Sequence, residues 1–423
     1  MGNIRKSLLK NGITVISEKI DSVRSISLGF WVVVGSRNED KSEKGISHFI
    51  EHTLFKGTKK RNTQQIAKTI ESKGGSLDAF TSKEITCFYT RGLSSLLRLS
   101  VDVISDILTR PLFPQTELKK ELNVVKEEIK DNEDTPGKYI FDLLFKHLFK
   151  GHPLSHSVLG EKKDVEQLTK KKIVSYFHRW YNTKRMIVTA SGFVEHNDLV
   201  EYLNEFIKTR QVNGSMPLFK RARLNYNPVT FKFHKSGIFQ THLTIASPTF
   251  KYNDPRKYPL LVLDTILSDG MSSLLFQKLR EEKGLVYEVF SFADFYSDTG
   301  VFGVYLACAP DKIGQAKETV ISIYKKLVKY GVSKKAINEA KIKLKTKLLI
   351  GLESTSARMM RLGKSEIYLN DVIPIDEINQ LINKVSYDDV NEVVRYVLSE
   401  ERLSYIYVGD FESGVKRNLP FKK

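Results

Sequence analysis

The feature that most restricts the fold is an echo within the chain. Phe80-Thr81-Ser82 followed by Cys87-Phe88-Tyr89 matches Phe295-Tyr296-Ser297 followed by Val304-Tyr305, and Phe80 and Phe295 stand 215 residues apart in a chain of 423. Each piece reads as a pair of strands rich in β-branched and aromatic residues. Each is followed by an amphipathic helical stretch, Leu96 to Leu108 in the first half and Ile313 to Lys326 in the second. A chain that repeats at half its length builds one plan of strands and helices twice. Its length agrees, because 423 residues exceed one ordinary core and match two domains of about 200 residues each. The pattern lapses at Gln211-Val212-Asn213-Gly214-Ser215-Met216-Pro217 and Lys220-Arg221-Ala222-Arg223. The expected organisation is therefore a first domain over 1–212, a linker over 213–229 and a homologous second domain over 230–423.

Within the first half, strands are expected at Leu8-Leu9 and Ile13 to Ile16 on either side of an Asn11-Gly12 turn, and again over 25–35. The polar loop Ser36 to Lys44 then leads into Gly45-Ile46-Ser47-His48-Phe49-Ile50-Glu51-His52-Thr53-Leu54-Phe55. A helix from Gln64 to Lys73 ends at Gly74-Gly75. Strands follow at Leu77 to Ser82 and Ile85 to Arg91, and Met186 to Gly192 reads as the last strand of this half.

Two histidines four apart on a helix lie one above the other on one face, so the imidazoles of His48 and His52 can hold one metal ion together. Glu51 borders the same face and is placed to take a proton from a metal-bound water. The order His-x-x-Glu-His is a catalytic zinc motif in its own right. The plainer alternative, a hydrogen-bonded core histidine beside a solvated glutamate, explains one such residue better than it explains three. A catalytic zinc takes three protein ligands, so one more is needed. The stretch Glu117 to Lys130 supplies candidates: at 100° per residue Glu121, Val124, Val125 and Glu128 share a face, while Glu127 turns toward the lysines. A carboxylate on a stripe with two valines is costly to bury unless it meets something positive. That argument selects Glu128 as third ligand, with Glu121 two turns earlier in the same site. The alternative is a pair of surface carboxylates balanced by lysines.

His48-Phe49-Ile50-Glu51-His52 followed by Glu128 resembles the pitrilysin-type zinc metallopeptidases, the inverzincins. Within them the chain is most similar to the branch holding mitochondrial processing peptidase and its bacterial relatives, with matching tracts along nearly its whole length. The resemblance implies an α/β fold of the α+β sandwich kind, two homologous domains of mostly antiparallel sheet packed with helices. It implies that His48, His52 and Glu128 bind one Zn2+ per chain, that Glu51 is the general base, and that Glu121 assists near the metal. The function it implies is a zinc-dependent endopeptidase, with a Glu-activated zinc water as nucleophile, cutting peptides or unfolded leader segments in a closed chamber. Family members that became non-catalytic peptide-binding or assembly subunits typically lose ligands, and none is lost here. The tract matching Ala79-Phe80-Thr81 is an edge strand along which the substrate peptide lies, by backbone pairing. Asp78 departs from the Asn common there, keeping a hydrogen-bond acceptor but losing the amide donor and adding charge. In Arg280-Glu281-Glu282-Lys283-Gly284-Leu285-Val286-Tyr287, Arg280 and Tyr287 match residues that contact the substrate backbone and reacting carbonyl. Without the resemblance, Arg280 reads as a surface ion-pair residue and Tyr287 as core. A chain of this length implies a partner, a homodimer or a heterodimer with a homologous subunit, with Arg280 and Tyr287 acting in trans.

The offset of 215 carries His48, Glu51 and His52 onto Leu263, Ile266 and Leu267, and Glu128 onto Lys343. The second copy is thus expected to keep the scaffold without the metal, its counterpart of the zinc helix being plain core. His152, His156 and His178 read as structural, the first two within a loop broken by Pro153. Cys87 and Cys308 lack any paired spacing and read as buried free thiols. The net charge of +18 comes from scattered lysines without interleaved aromatics, so neither nucleic acid nor membrane is expected as a partner. No stretch has the length of a membrane span, and the first strand starts too early for a secretory leader. A cytoplasmic location is the expectation.

Overall fold

The computed structural model describes residues 3–208, 219 and 222–411. Two compact units divide it. The first unites Met1–Asp131, His156–Lys220 and Ile350–Val372; the second unites Asn132–Ser155, Arg221–Leu349 and Ile373–Lys423.

The first unit is built on strands β1 (Asn3–Leu8), β2 (Thr14–Lys19), β3 (Ser25–Val32), β4 (Ser76–Thr81), β5 (Thr86–Leu93) and β6 (Met186–Gly192). They lie in the order β1-β2-β6-β3-β5-β4 and pair antiparallel, apart from the parallel pair β2–β6. Four helices precede or follow β4 and β5: α1 (Ile46–Leu54), α2 (Thr63–Glu71), α3 (Leu97–Thr109) and α4 (Gln115–Asp134). One face of the sheet packs Leu28, Phe30, Phe88 and Val188 against Phe49 and Ile50 of α1 and Val101 and Ile104 of α3. The other face carries Trp31, Val33, Cys87 and Ile187 and is covered by Met359 and Ile367 of the helix Thr355–Leu369. With both faces covered, the central strands read as near-continuous apolar runs rather than as alternating ones. Gly363 makes the covering possible, since a Cβ there would lie 2.1 Å from the Trp31 ring.

The second unit repeats the plan. Strands β7 (Thr230–His234), β8 (Thr241–Thr249), β9 (Glu288–Phe295), β10 (Gly300–Cys308) and β11 (Ser404–Gly409) lie in the order β7-β11-β8-β10-β9. This is the order β2-β6-β3-β5-β4 again, and β7–β11 is parallel where β2–β6 is parallel. The duplication read from one pair of hairpins therefore holds for five strands. Its outer face is covered by α5 (Pro136–Leu148), whose Ile140, Leu143 and Leu144 pack on Ala246, Val301 and Ile406. Each sheet thus borrows one covering helix from the other half of the sequence: α5 lies between β5 and β6 in the chain, and Thr355–Leu369 between β10 and β11. An amphipathic pattern announces an apolar face but not which sheet it will meet, so this exchange could not be read from the sequence.

Of the expected linker, residues 213–218, 220 and 221 lie outside the described residues. Residues 222–229 are tied into the second unit, where the Tyr226 hydroxyl donates to the Arg402 carbonyl at 2.6 Å. Cys87 and Cys308 are both free and buried, as expected. Among the described residues no helix is long and apolar enough to cross a membrane.

Candidate metal centre

The N-cap of helix α1 is Gly45, whose φ of +82° is open to glycine and strained for other residues. A Cβ at this position would also stand 2.6 Å from the Leu159 carbonyl oxygen. Glycine has no side chain with which to cap a helix. Glu39 does so instead: buried, it accepts hydrogen bonds from the backbone N–H of Gly45 at 2.8 Å and of Ser47 at 2.9 Å. A carboxylate at a helix N-terminus satisfies orphan donors and meets the positive end of the dipole. Burial still pushes the Glu39 carboxyl up to about 8 against the pull of these N–H groups. Sequence reasoning missed Glu39. The available signal was negative: a helix starting at Gly45 without Ser, Thr, Asp or Asn needs a cap from elsewhere.

The apolar residues Ile46, Phe49, Ile50 and Leu54 hold α1 on the sheet and leave His48, Glu51 and His52 toward the opposite side. The rings of His48 and His52 are 4.6 Å apart between centroids and meet edge to face at 64°, brought together by the i, i+4 spacing. Glu128 of α4 faces both, its Oε2 lying 3.6 Å from His48 Nε2 and 3.5 Å from His52 Nε2. Among the described residues these three form the one group able to hold a metal, with ligand atoms all within 4.8 Å of one another. Ligands about 2.0–2.1 Å from a tetrahedral zinc lie roughly 3.3–3.5 Å apart, so the spacing fits that ion. Two imidazoles and a carboxylate are also a catalytic zinc donor set. Burial, with the charge of His52 close by, pushes the His48 imidazole down to about 3, which keeps it in the neutral form that ligates.

Glu121 is placed differently from Glu128. Its Oε2 is 3.1 Å from His52 Nδ1, and its Oε1 pairs with Lys56 Nζ at 2.6 Å. The hydrogen bond fixes the tautomer that leaves Nε2 of His52 free for a metal. Burial opposes the carboxylate of Glu121, but His52 and Lys56 outweigh it and lower its pKa. On His52, burial is likewise outweighed by the Glu121 hydrogen bond and the neighbouring carboxylates, which raise its pKa. His48 has no such support. Its Nδ1 is buried with no hydrogen-bond partner, so packing alone orients the ring.

The stripe that carries these carboxylates differs from the expected one. Leu118, Glu121, Val125 and Ile129 form the buried face of α4, whereas Val124 is 50% exposed. Glu128 sits at the edge of that face with its side chain 42% exposed, so the centre is open to solvent on its side.

Glu51 lies beside the cluster and its carboxylate Oε2 accepts a hydrogen bond from Thr81 Oγ1 at 2.5 Å. Burial raises the Glu51 pKa, while Thr81 and His52 hold it back. Thr81 ends β4, the outermost strand of its sheet, paired with β5 alone. Leu77 and Ala79 of β4 pack toward the helix side and Phe80 toward Trp31. Asp78 accepts from the Tyr89 hydroxyl at 3.1 Å and from the Ala79 backbone N–H at 2.8 Å.

Arg280 and Tyr287 belong to the second unit. Tyr287 is 60% exposed, not the core residue its pattern taken alone predicts. Arg280 sits over the Phe276 ring at 5.1 Å and makes no ion pair among the described residues, so its surface ion-pair reading also fails. His152 and His156 flank the short helical turn Pro153–Ser155 and lie outside any metal-binding group among the described residues.

The insulinase model of peptidase family M16 matches residues 14–162, and the model of the peptidase M16 inactive domain matches residues 167–344. The chain is 35% identical to an uncharacterized zinc protease of Mycobacterium tuberculosis, covering 98% of this chain and 95% of that protein. It is 32% identical to an uncharacterized zinc protease of Bacillus subtilis, covering 94% and 96%. A crystal structure of a protease from Helicobacter pylori superimposes with a TM-score of 0.90 at 22% identity, over 96% of this chain and 99% of that one. A peptidase M16 inactive domain from Pseudomonas fluorescens gives 0.85 at 18% identity, over 96% and 98%. These two likenesses concern the fold.

Proposed function

On the premise that the chain belongs to the M16 zinc peptidase family, we propose that it is an endopeptidase whose peptide substrate lies along β4 and is cut beside His48, His52 and Glu128. The observation that supports this reading most is the contact between Glu51 and Thr81, because it ties a base beside the metal ligands to the open edge strand. His48, His52 and Glu128 would hold one zinc ion. When bound, zinc supplies Lewis acidity, polarising a carbonyl and making a water nucleophilic near neutral pH.

The chain's own residues do the rest. Glu51 accepts a proton from the attacking water and passes it to the leaving amine, and its raised pKa suits both halves of that transfer. Thr81 holds the Glu51 carboxylate in one rotamer. Glu121 orients His52 and acts as a positioning residue rather than as an acid or base. An extended peptide paired to Ala79, Phe80 and Thr81 gains affinity from its backbone, which favours flexible or unfolded segments over folded proteins. Arg280 and Tyr287 of a second copy, in a dimer, complete the closed chamber and stabilise the developing oxyanion. The exposure of both side chains and the absence of an ion pair at Arg280 among the described residues support that role.

Size-exclusion chromatography with light scattering tests the dimer. Mixing Arg280→Ala protein with Glu51→Gln protein tests action in trans, since complementary mutants regain activity only if the two sites are shared between copies. No gain on mixing places Arg280 outside the partner's site.

A further inference from the structure

The second unit carries a cavity of about 430 Å3 on the face that corresponds to the metal centre of the first. The offset of 215 pairs Glu51 with Ile266 and Glu128 with Lys343, and both Ile266 and Lys343 line this cavity. Their helices, Lys257–Ser268 and Lys334–Gly351, stand in the chain where α1 and α4 stand in the first half. Leu263 and Leu267 are fully buried, as expected of plain core, but Ile266 is only half-buried and faces open space. The duplicated site therefore has a lysine and an isoleucine where the first half has Glu128 and Glu51.

From these residues we infer that the cavity binds the C-terminal end of a peptide, an α-carboxylate joined to an apolar side chain. Lys343 Nζ supplies the cation. Its hydrogen-bond partner is the Ser272 hydroxyl at 2.9 Å, which a carboxylate can share or displace. Ser273 also lines the cavity; it is 3% exposed, and its Oγ has no hydrogen-bond partner. An orphaned buried hydroxyl is costly until a ligand acceptor meets it. Ile266, Leu274 and Val332 form an apolar wall, and the volume lies in the range of a small-molecule site. Glu339, one turn before Lys343 on the same face of the helix, also lines the cavity and repels a second negative charge. That single carboxylate favours a monoanion over phosphate or a dicarboxylate. The peptide assignment rests on the peptidase reading above; the site itself does not.

The test uses the full-length Glu51→Gln protein stripped of zinc, so binding is read without cleavage. Fluorescence anisotropy follows dansyl-Ala-Leu-Leu with a free C-terminus, and competition follows its C-terminal amide, octanoate and inorganic phosphate. The acid is expected to bind at least tenfold more tightly than the amide and than phosphate. Lys343→Met, at an exposed position with no packing role, is expected to remove that preference, and Ile266→Trp to weaken binding by filling the cavity. Equal binding of acid and amide, or a Lys343→Met protein that binds unchanged, overturns the site. Octanoate competing as well as the peptide overturns the peptide assignment and leaves a general aliphatic carboxylate site. Because the measurement needs neither zinc nor turnover, its failure is distinct from failure of the peptidase reading.

Discussion

Glu121→Gln separates positioning from chemistry at the metal centre. Glu121 is nearly buried, with its side chain 8% exposed, and holds His52 Nδ1 at 3.1 Å while pairing with Lys56 at 2.6 Å. Gln keeps the size and an acceptor oxygen but exchanges a charge-assisted hydrogen bond for a neutral one. Such bonds contribute about 1.5–3 kcal/mol and about 0.5–1.5 kcal/mol respectively, so the loss is about 1–1.5 kcal/mol. That corresponds to roughly a tenfold weaker zinc site, the lower end of what lost outer contacts to a metal-binding histidine cost. Lys56 is 24% exposed and can return to water, which limits any added penalty. Chelator competition reads the zinc affinity, and kcat is measured at saturating zinc. The account expects weaker zinc and a kcat restored close to wild type once the site is full. Unchanged zinc affinity with a kcat that stays low would refute it and place Glu121 in the chemistry.

Three further perturbations address the supports of the centre. Thr81→Val removes a hydrogen bond that lowers the Glu51 pKa, so that pKa rises. Since Glu51 acts as a base only when ionised, the acid limb of the kcat/KM–pH profile should move to higher pH; an unmoved limb would exclude the Thr81 contact from the active form. Glu39→Ala leaves the N–H groups of Gly45 and Ser47 without a cap and should cost about 2–4 kcal/mol, read as a fall in the denaturant midpoint together with weaker zinc binding. Gly363→Ala forces a Cβ to 2.1 Å from the Trp31 ring and should destabilise the first unit by about 1–3 kcal/mol in a denaturant titration, with zinc affinity unchanged.

The residues that share one helix were the most legible. The spacing of His48, Glu51 and His52 fixes their common face whatever surrounds it, and the hairpin echo around Phe80 and Phe295 fixed the repeated sheet. Glu128 was found through its stripe, although the stripe runs through Leu118 and Ile129 and leaves Val124 in solvent. Helical angles place residues relative to one another; where the core lies against them depends on neighbours that one helix does not reveal. The division of labour between Glu121 and Glu128 depends on which atom of His52 each carboxylate meets, a tertiary fact. Glu39 acts across a loop, and α5 packs on a sheet whose strands all come later in the chain, so neither follows from local pattern. Tyr287 shows the opposite error, a pattern that reads as core at a position that is exposed.

The most direct test of the central claim is hydrolysis of a quenched fluorescent peptide by the purified protein and by Glu51→Gln, with bound zinc measured on the same samples. The account predicts about one zinc in each protein, turnover by the wild type, and loss of about 10²–10⁴-fold or more in the variant. Turnover by Glu51→Gln at the wild-type rate with zinc in place would contradict it.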